Sequence, residues 1–248
     1  MKSCAKHLLN LAKPEFLIFD LMHMLSTVHV FKVSQLVLKN YNYLVVDNNS
    51  RDAVLVDPAW ELSTLEGALE EHQANLKAIL VTHSHVDHVN LCDTFAKRWK
   101  VPVFMSKAEI DFYNFYCTNL TPLESETPFD CGTFRVLPYF TPGHSYEGVC
   151  YQIDDNLFTG DTLFTEGCGI CVGKGADPHA MFASLQMLKQ RIAPETRIYP
   201  GHSFGRPSGQ PMSDLLKNNL YLQFDNAEQF VAFRMRKGQS WKKWLSFK

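Results

Sequence analysis

Seven side chains in this sequence have the types and spacing to hold metal ions. The run Thr82-His83-Ser84-His85-Val86-Asp87-His88 reads H-x-H-x-D-H. Two histidines two residues apart on an extended turn project to the same side, and Asp87 and His88 follow at once, where the next helix begins. Three further donors each close an apolar run beside a glycine: His144 in Thr141-Pro142-Gly143-His144, Asp161 in Phe158-Thr159-Gly160-Asp161, and His202 in Tyr199-Pro200-Gly201-His202. Seven donors exceed the four of a tetrahedral zinc site and suit two cations that share a bridging carboxylate. Imidazole and carboxylate without thiolate favour zinc, with iron or manganese as the alternatives. Two such cations about 3.5–4 Å apart hold a hydroxide between them, the pKa of the parent water falling to about 7. The other histidines (His7, His23, His29, His72 and His179) lie outside these motifs and read as ordinary surface or core residues.

The donors need strand ends to carry them. From Thr27 to Asp57 the chain is rich in β-branched and aromatic runs separated by turn residues such as Asp47-Asn48-Asn49-Ser50. A helix over 62–72 follows, then a buried strand over 76–81 that delivers the histidine turn, a helix over 90–99, a strand over 101–105 and a helix over 107–116. A second strand block covers 134–140, 148–153 and 156–158, succeeded by a helix over 178–192, a short strand over 197–199, and helices over 212–224 and 227–236. The order of strands, helices, strands, helices describes two related α/β halves with sheets inside and helices outside. We divide the chain into an N-terminal extension over 1–26, a central α/β domain over 27–204 that carries the seven donors, and a C-terminal helical segment with a basic tail over 205–248. The extension reads as disordered, or as a mis-assigned start with Met22 or Met24 as the true first residue.

The chain has 248 residues, 46% hydrophobic and 20% charged, with a net charge of −2. This composition is that of an ordinary globular protein, and the charge argues against a protein built to grip nucleic acid or an acidic membrane. No apolar run reaches the length of a membrane span. Seven scattered cysteines do not form a disulfide framework, so a reducing cytoplasm is the expected setting. Cys168 and Cys171 form a C-x-x-C without the second pair that a structural zinc would need.

The set His83, His85, Asp87, His88, His144, Asp161 and His202 resembles the metallo-β-lactamase superfamily in its glyoxalase II-like branch. The segments Asn40-Tyr41-Asn42-Tyr43-Leu44, Thr159-Gly160-Asp161-Thr162-Leu163-Phe164 and Gly167-Cys168-Gly169 resemble that branch as well. The resemblance spans about 30–202 and implies a four-layer αββα sandwich with a short C-terminal helical segment. It also implies two Zn2+ ions per chain: one held by His83, His85 and His144, the other by Asp87, His88 and His202, with Asp161 bridging. Asp87 and Asp161 would be ligands first and would also orient the attacking water. Asp57, which ends a strand beside Pro58, is a candidate partner for a ligand histidine.

In the glyoxalase II family a basic residue follows the Gly-Cys-Gly turn and helps to hold glutathione. Here Ile170, Cys171 and Val172 stand there, and Lys174 is out of register. A closer likeness is to zinc-dependent hydrolases encoded in bacterial trans-acyltransferase polyketide synthase clusters, which make antibiotics and related compounds. That likeness implies an acyl group on the phosphopantetheine of an acyl carrier protein, or a small acyl thioester, cleaved by a metal-bridging hydroxide. The residues over 232–248 include Arg234, Arg236, Lys237, Lys242, Lys243 and Lys248 and no acid, interleaved with Trp241 and Trp244. Such a tail could steer an acidic carrier. The alternatives are a hydroxyacylglutathione hydrolase, an iron-dependent persulfide dioxygenase, and a non-catalytic binding protein that keeps the fold.

Overall fold

The computed structural model describes residues 26–35 and 38–236. The expected extension, all but its last residue, and the tail residues Lys237, Trp241, Lys242, Lys243, Trp244 and Lys248 lie outside the described residues.

Two six-stranded sheets form the centre. The first has the order β1 to β6: β1 (Ser26–Gln35), β2 (Leu38–Asp47), β3 (Asp52–Val56), β4 (Asn75–Leu80), β5 (Val103–Ser106) and β6 (Leu120–Leu123). β1, β2 and β3 pair antiparallel, with β1 and β2 in register from Ser26 opposite Asp47 to Gln35 opposite Leu38. β3 through β6 are parallel. Their crossovers carry helices: α1 (Leu62–Glu71), α2 (Val86–Val89), α3 (Cys92–Trp99) and α4 (Lys107–Tyr113). The second sheet uses β7 (Phe129–Cys131), β8 (Phe134–Phe140), β9 (Val149–Ile153), β10 (Asn156–Gly160), β13 (Arg197–Pro200) and β14 (Gln210–Pro211), in the order β14-β13-β10-β9-β8-β7. β11 (Leu163–Phe164) and β12 (Gly167–Cys168) make a small ribbon. The remaining helices are α5 (Pro178–Arg191), α6 (Met212–Asn218) and α7 (Ala227–Arg234), with a 3-10 turn over Leu220–Gln223.

The alternation of side chains along each strand explains the four layers. Leu44, Val46, Leu55, Ile79 and Val81 point to one face of the first sheet, where Leu65 and Leu69 of α1 and Phe95 of α3 cover them. Tyr43, Val45, Val54, Val56, Ala78 and Leu80 point to the other face and meet Val136, Tyr151, Ile153 and Phe158 of the second sheet. The far side of the second sheet packs Cys150, Leu157 and Ile198 against Met181, Leu185 and Leu188 of α5 and Phe230 of α7. Strands buried on both faces read as continuous apolar runs, and the result is the expected αββα sandwich.

Local chemistry sets the element boundaries. Asp177 caps α5 by accepting the His179 and Ala180 N–H groups at 2.8 and 3.2 Å, with Pro178 in the first turn, where its missing N–H costs nothing. The helix expected over 90–99 is α3, which starts at Cys92, and α2 is a separate short helix ahead of it. Leu91 N–H leaves the helical ladder for Pro58 O at 3.2 Å, and the Asn90 side chain bonds Val86 O and accepts Trp60 N–H. The helix expected over 212–224 likewise ends at Asn218, because the Asn219 side chain turns inward to Phe164 O and Gly167 O. Among the described residues no helix is long and apolar enough to cross a membrane.

Candidate metal centre

Four strand ends supply the seven donors. β4 runs into the His83–His88 turn, β8 into the His144 loop, β10 into Asp161 and β13 into His202. Backbone bonds lock the two sheets together here, Val149 N–H to Thr82 O at 2.7 Å and Tyr41 N–H to Gly201 O at 2.8 Å, and Gly201 N–H to Gly160 O at 2.7 Å joins the ends of β13 and β10 within the second sheet. Gly201 sits where no side chain fits, since a Cβ there would lie 2.6 Å from both Asp161 Oδ1 and His88 Cε1.

All seven side chains converge. His85 Nδ1 lies 3.0 Å from both His83 Nε2 and His144 Nε2. Asp161 Oδ2 lies 3.4 Å from His144 Nε2 and 3.3 Å from His202 Nε2, and its Oδ1 lies 3.6 Å from His88 Nε2. Asp87 Oδ2 lies 3.4 Å from His202 Nε2 and 3.8 Å from His88 Nε2. The donor atoms fall into three overlapping sets, each within 4.8 Å: His83, His85 and His144; His83, His88 and Asp161; and Asp87, His88 and His202. Asp161 therefore stands between the other two groups.

The nitrogens that face away from the centre are held by the surrounding shell. His88 Nδ1–H donates to Asp57 Oδ2 at 2.9 Å. Thr82 Oγ1 donates to the same carboxylate at 2.7 Å and takes the His83 Nδ1–H at 3.1 Å. His144 Nδ1–H donates to Ile170 O and His202 Nδ1–H to Lys39 O, both at 2.7 Å. Each bond fixes a tautomer that leaves Nε2 free toward the middle, the arrangement that metal-ligating histidines use. Asn40 Nδ2 donates to Asp87 O and Oδ2, and Trp60 Nε1 donates to Asn40 Oδ1. Asp57 holds a left-handed backbone, φ 49°, beside Trp60 at φ 65°. Such backbone strain gathers at functional sites.

Electrostatics split the cluster in two. Burial pulls the His144 imidazole down to about 4 and pushes His83 and His85 below the usual histidine value. These three are neutral donors at pH 7. Burial opposes charge on His88 as well, but Asp87, Asp161 and Asp57 raise it to about 9, and Asp161 and Asp87 raise His202. Against the same burial, His88 and His202 hold both carboxylates below the usual range. The protein thus stabilises positive charge beside Asp87 and Asp161, and a cation taking these donors displaces protons.

The donor chemistry fits a metal. His88 Nε2 and Asp161 Oδ1 are buried atoms without any hydrogen-bond partner, and a native interior seldom leaves such atoms unpaired. An ion between them would satisfy both.

The seven residues expected from the sequence to hold metal, and Asp57, are all brought together here. Sequence reasoning missed the outward partners Lys39 O and Ile170 O, which are backbone atoms without a side-chain signature. It also assigned no role to Asn40, although that residue lies in a segment singled out for its resemblance.

The Metallo-beta-lactamase superfamily pattern matches residues 37–202. The chain is 48% identical over 212 residues to the probable polyketide biosynthesis zinc-dependent hydrolase BaeB of Bacillus velezensis, covering 86% of this chain and 94% of that protein. It is 46% identical over 218 residues to the probable polyketide biosynthesis zinc-dependent hydrolase PksB of Bacillus subtilis, covering 88% and 97%. A protein crystallised in a di-iron-bound form superposes with a TM-score of 0.63 at 30% identity, covering 78% of this chain and 100% of that one.

Proposed function

The chain belongs to the metallo-beta-lactamase superfamily, and from that premise we propose that it is a zinc-dependent hydrolase of polyketide biosynthesis that cleaves an acyl thioester on the phosphopantetheine arm of an acyl carrier protein. The observation that carries this reading is the pair of unsatisfied buried atoms, His88 Nε2 and Asp161 Oδ1, at the centre of seven converging donors. The likeness to BaeB and PksB over nearly their whole length supports the hydrolase class and the pathway.

His83, His85 and His144 would hold one zinc and Asp87, His88 and His202 the other, with Asp161 between them. Zinc bound there supplies a Lewis acid for the carbonyl oxygen and a water of lowered pKa. The side chains do the rest. Asp87 and Asp161 present carboxylate oxygens to the same space as the imidazole Nε2 atoms of His88 and His202, so they can orient a water there. Asp57 and Thr82 keep His88 and His83 from rotating. A thiolate leaves without protonation because its conjugate acid has a pKa of about 8.5, which matches a site with no separate acid–base pair.

A glutathione thioester fits less well. The turn after Cys168 carries Ile170 and an exposed Val172 in place of a cation. Lys174 Nζ is directed onto Phe112 O at 3.3 Å and over the Phe112 ring. Mass spectrometry of an acylated carrier protein and of acyl-glutathione, each incubated with the enzyme, tests the assignment. Release of the acyl group from the carrier ahead of glutathione is the expected result. Preferential cleavage of acyl-glutathione would overturn the carrier reading, and oxygen uptake with a persulfide would overturn hydrolysis.

A further inference from the structure

Glu109, on α4, is 0% exposed. It is not one of the seven donors, and it follows the N-cap Ser106 by three residues, where a glutamate ordinarily folds back on its own helix end. Here it does not. Its Oε1 accepts the Ser84 N–H at 3.0 Å and the Ser84 hydroxyl at 2.9 Å, and its Oε2 accepts the Glu147 N–H at 2.8 Å. Ser84 lies between His83 and His85, and Glu147 lies three residues after His144. One carboxylate therefore ties together two loops that come from different sheets. Ser106 reinforces the tie, taking the Glu109 N–H at 3.2 Å and donating its hydroxyl to the Glu147 carboxylate.

Burying an anion without a cation is costly, and among the described residues Glu109 makes no ion pair with Lys or Arg. The three imidazoles beside it bring no charge to a divalent ion, whereas the other half of the centre has Asp87. We propose that Glu109 is a positioning residue for the three-histidine half: its carboxylate fixes the separation of the His83–His85 and His144 loops, and its charge is the uncoordinated counter-anion for a cation held there. The inference rests on the metal assignment proposed above.

Glu109→Gln tests it, because an amide cannot accept from both Ser84 and Glu147 with its two ends. Zinc is titrated calorimetrically into metal-stripped wild type and variant, and the melting temperature of each is read with and without zinc. The expected result is one of two binding steps weakened by about ten- to a hundredfold, the other unchanged, and a smaller rise in melting temperature on adding zinc. A residue that only supports the fold would lower the melting temperature equally with and without zinc and leave both steps at wild-type affinity. That outcome overturns the proposal. Should Glu109→Gln fail to fold, Ser84→Ala removes one of the three bonds and is expected to weaken the same step by less; unchanged affinity in Ser84→Ala would then overturn the proposal. Wild-type protein that takes up no zinc would refute the metal assignment itself, a failure visible before any variant is compared.

Discussion

Asp57 Oδ2 lies 2.9 Å from His88 Nδ1, with both side chains buried, and the same carboxylate takes the Thr82 N–H and hydroxyl at 2.8 and 2.7 Å. One anion outside the donor set thus orients His88 directly and His83 through Thr82. Asp57→Ala is expected to weaken zinc binding by about ten- to a hundredfold and to lower the stability of the metal-free protein. Calorimetric titration and denaturant unfolding check the two effects. Zinc affinity equal to wild type would show that the imidazoles hold their orientation without it.

Gly201→Ala places a methyl group 2.6 Å from Asp161 Oδ1 and His88 Cε1. Neither can yield without leaving the centre, so the variant is expected to fold yet lose at least one zinc per chain. Far-ultraviolet circular dichroism and elemental analysis read the two quantities. A variant with full metal content would mean that the neighbouring groups relax at little cost.

The metal-free protein should lose stability as pH rises above about 7.5. The His88 pKa is raised to about 9, and that of His202 is also raised, against about 6.5 in an unfolded chain. The His88 contribution is complete below pH 6.5 and disappears as pH climbs through about 9, and that of His202 is lost in the same direction. His83, His85 and His144 are lowered, so the cost of keeping them neutral in the fold fades as pH passes about 6.5, and above about pH 7.5 they no longer offset the loss. Thermal melts in chelator between about pH 7.5 and 9.5 should show a falling midpoint, and a flat or rising midpoint would contradict the assignment of charge within the cluster.

Six cysteines, Cys92, Cys117, Cys131, Cys150, Cys168 and Cys171, are buried and free. Burial lifts Cys117 and Cys171 to about 11 and Cys131 and Cys150 to about 12, and raises Cys92 and Cys168 as well. Only the thiolate reacts. At pH 8 a thiol reagent should therefore leave these six unlabelled until the protein unfolds. Rapid labelling of Cys168 or Cys171 in the native protein would show an open redox pair there.

Much of this architecture was legible in the residues because its signals are local. Six residues of one turn hold four of the seven donors, and the runs that became β2, β3 and β4 are dominated by buried apolar side chains. Signals that depend on partners far along the chain were not legible. β6 contains Pro122, which removes a ladder donor and is tolerated because β6 is an edge strand. β7 and β14 have three and two residues, too few to show an alternation. The break between α2 and α3 is made by Pro58 O, more than thirty residues away in sequence. Glu109 stands where a glutamate ordinarily caps its own helix, and only the approach of two loops gives it another role.

Metal content and thioester hydrolysis, measured on the same preparation, test the central claim most directly. Purified protein should contain two metal ions per chain by elemental analysis, lose them and its hydrolysis of an acyl carrier thioester together in chelator, and regain both with zinc. Hydrolysis that survives complete removal of metal, or a fully folded protein that binds no zinc, would contradict it.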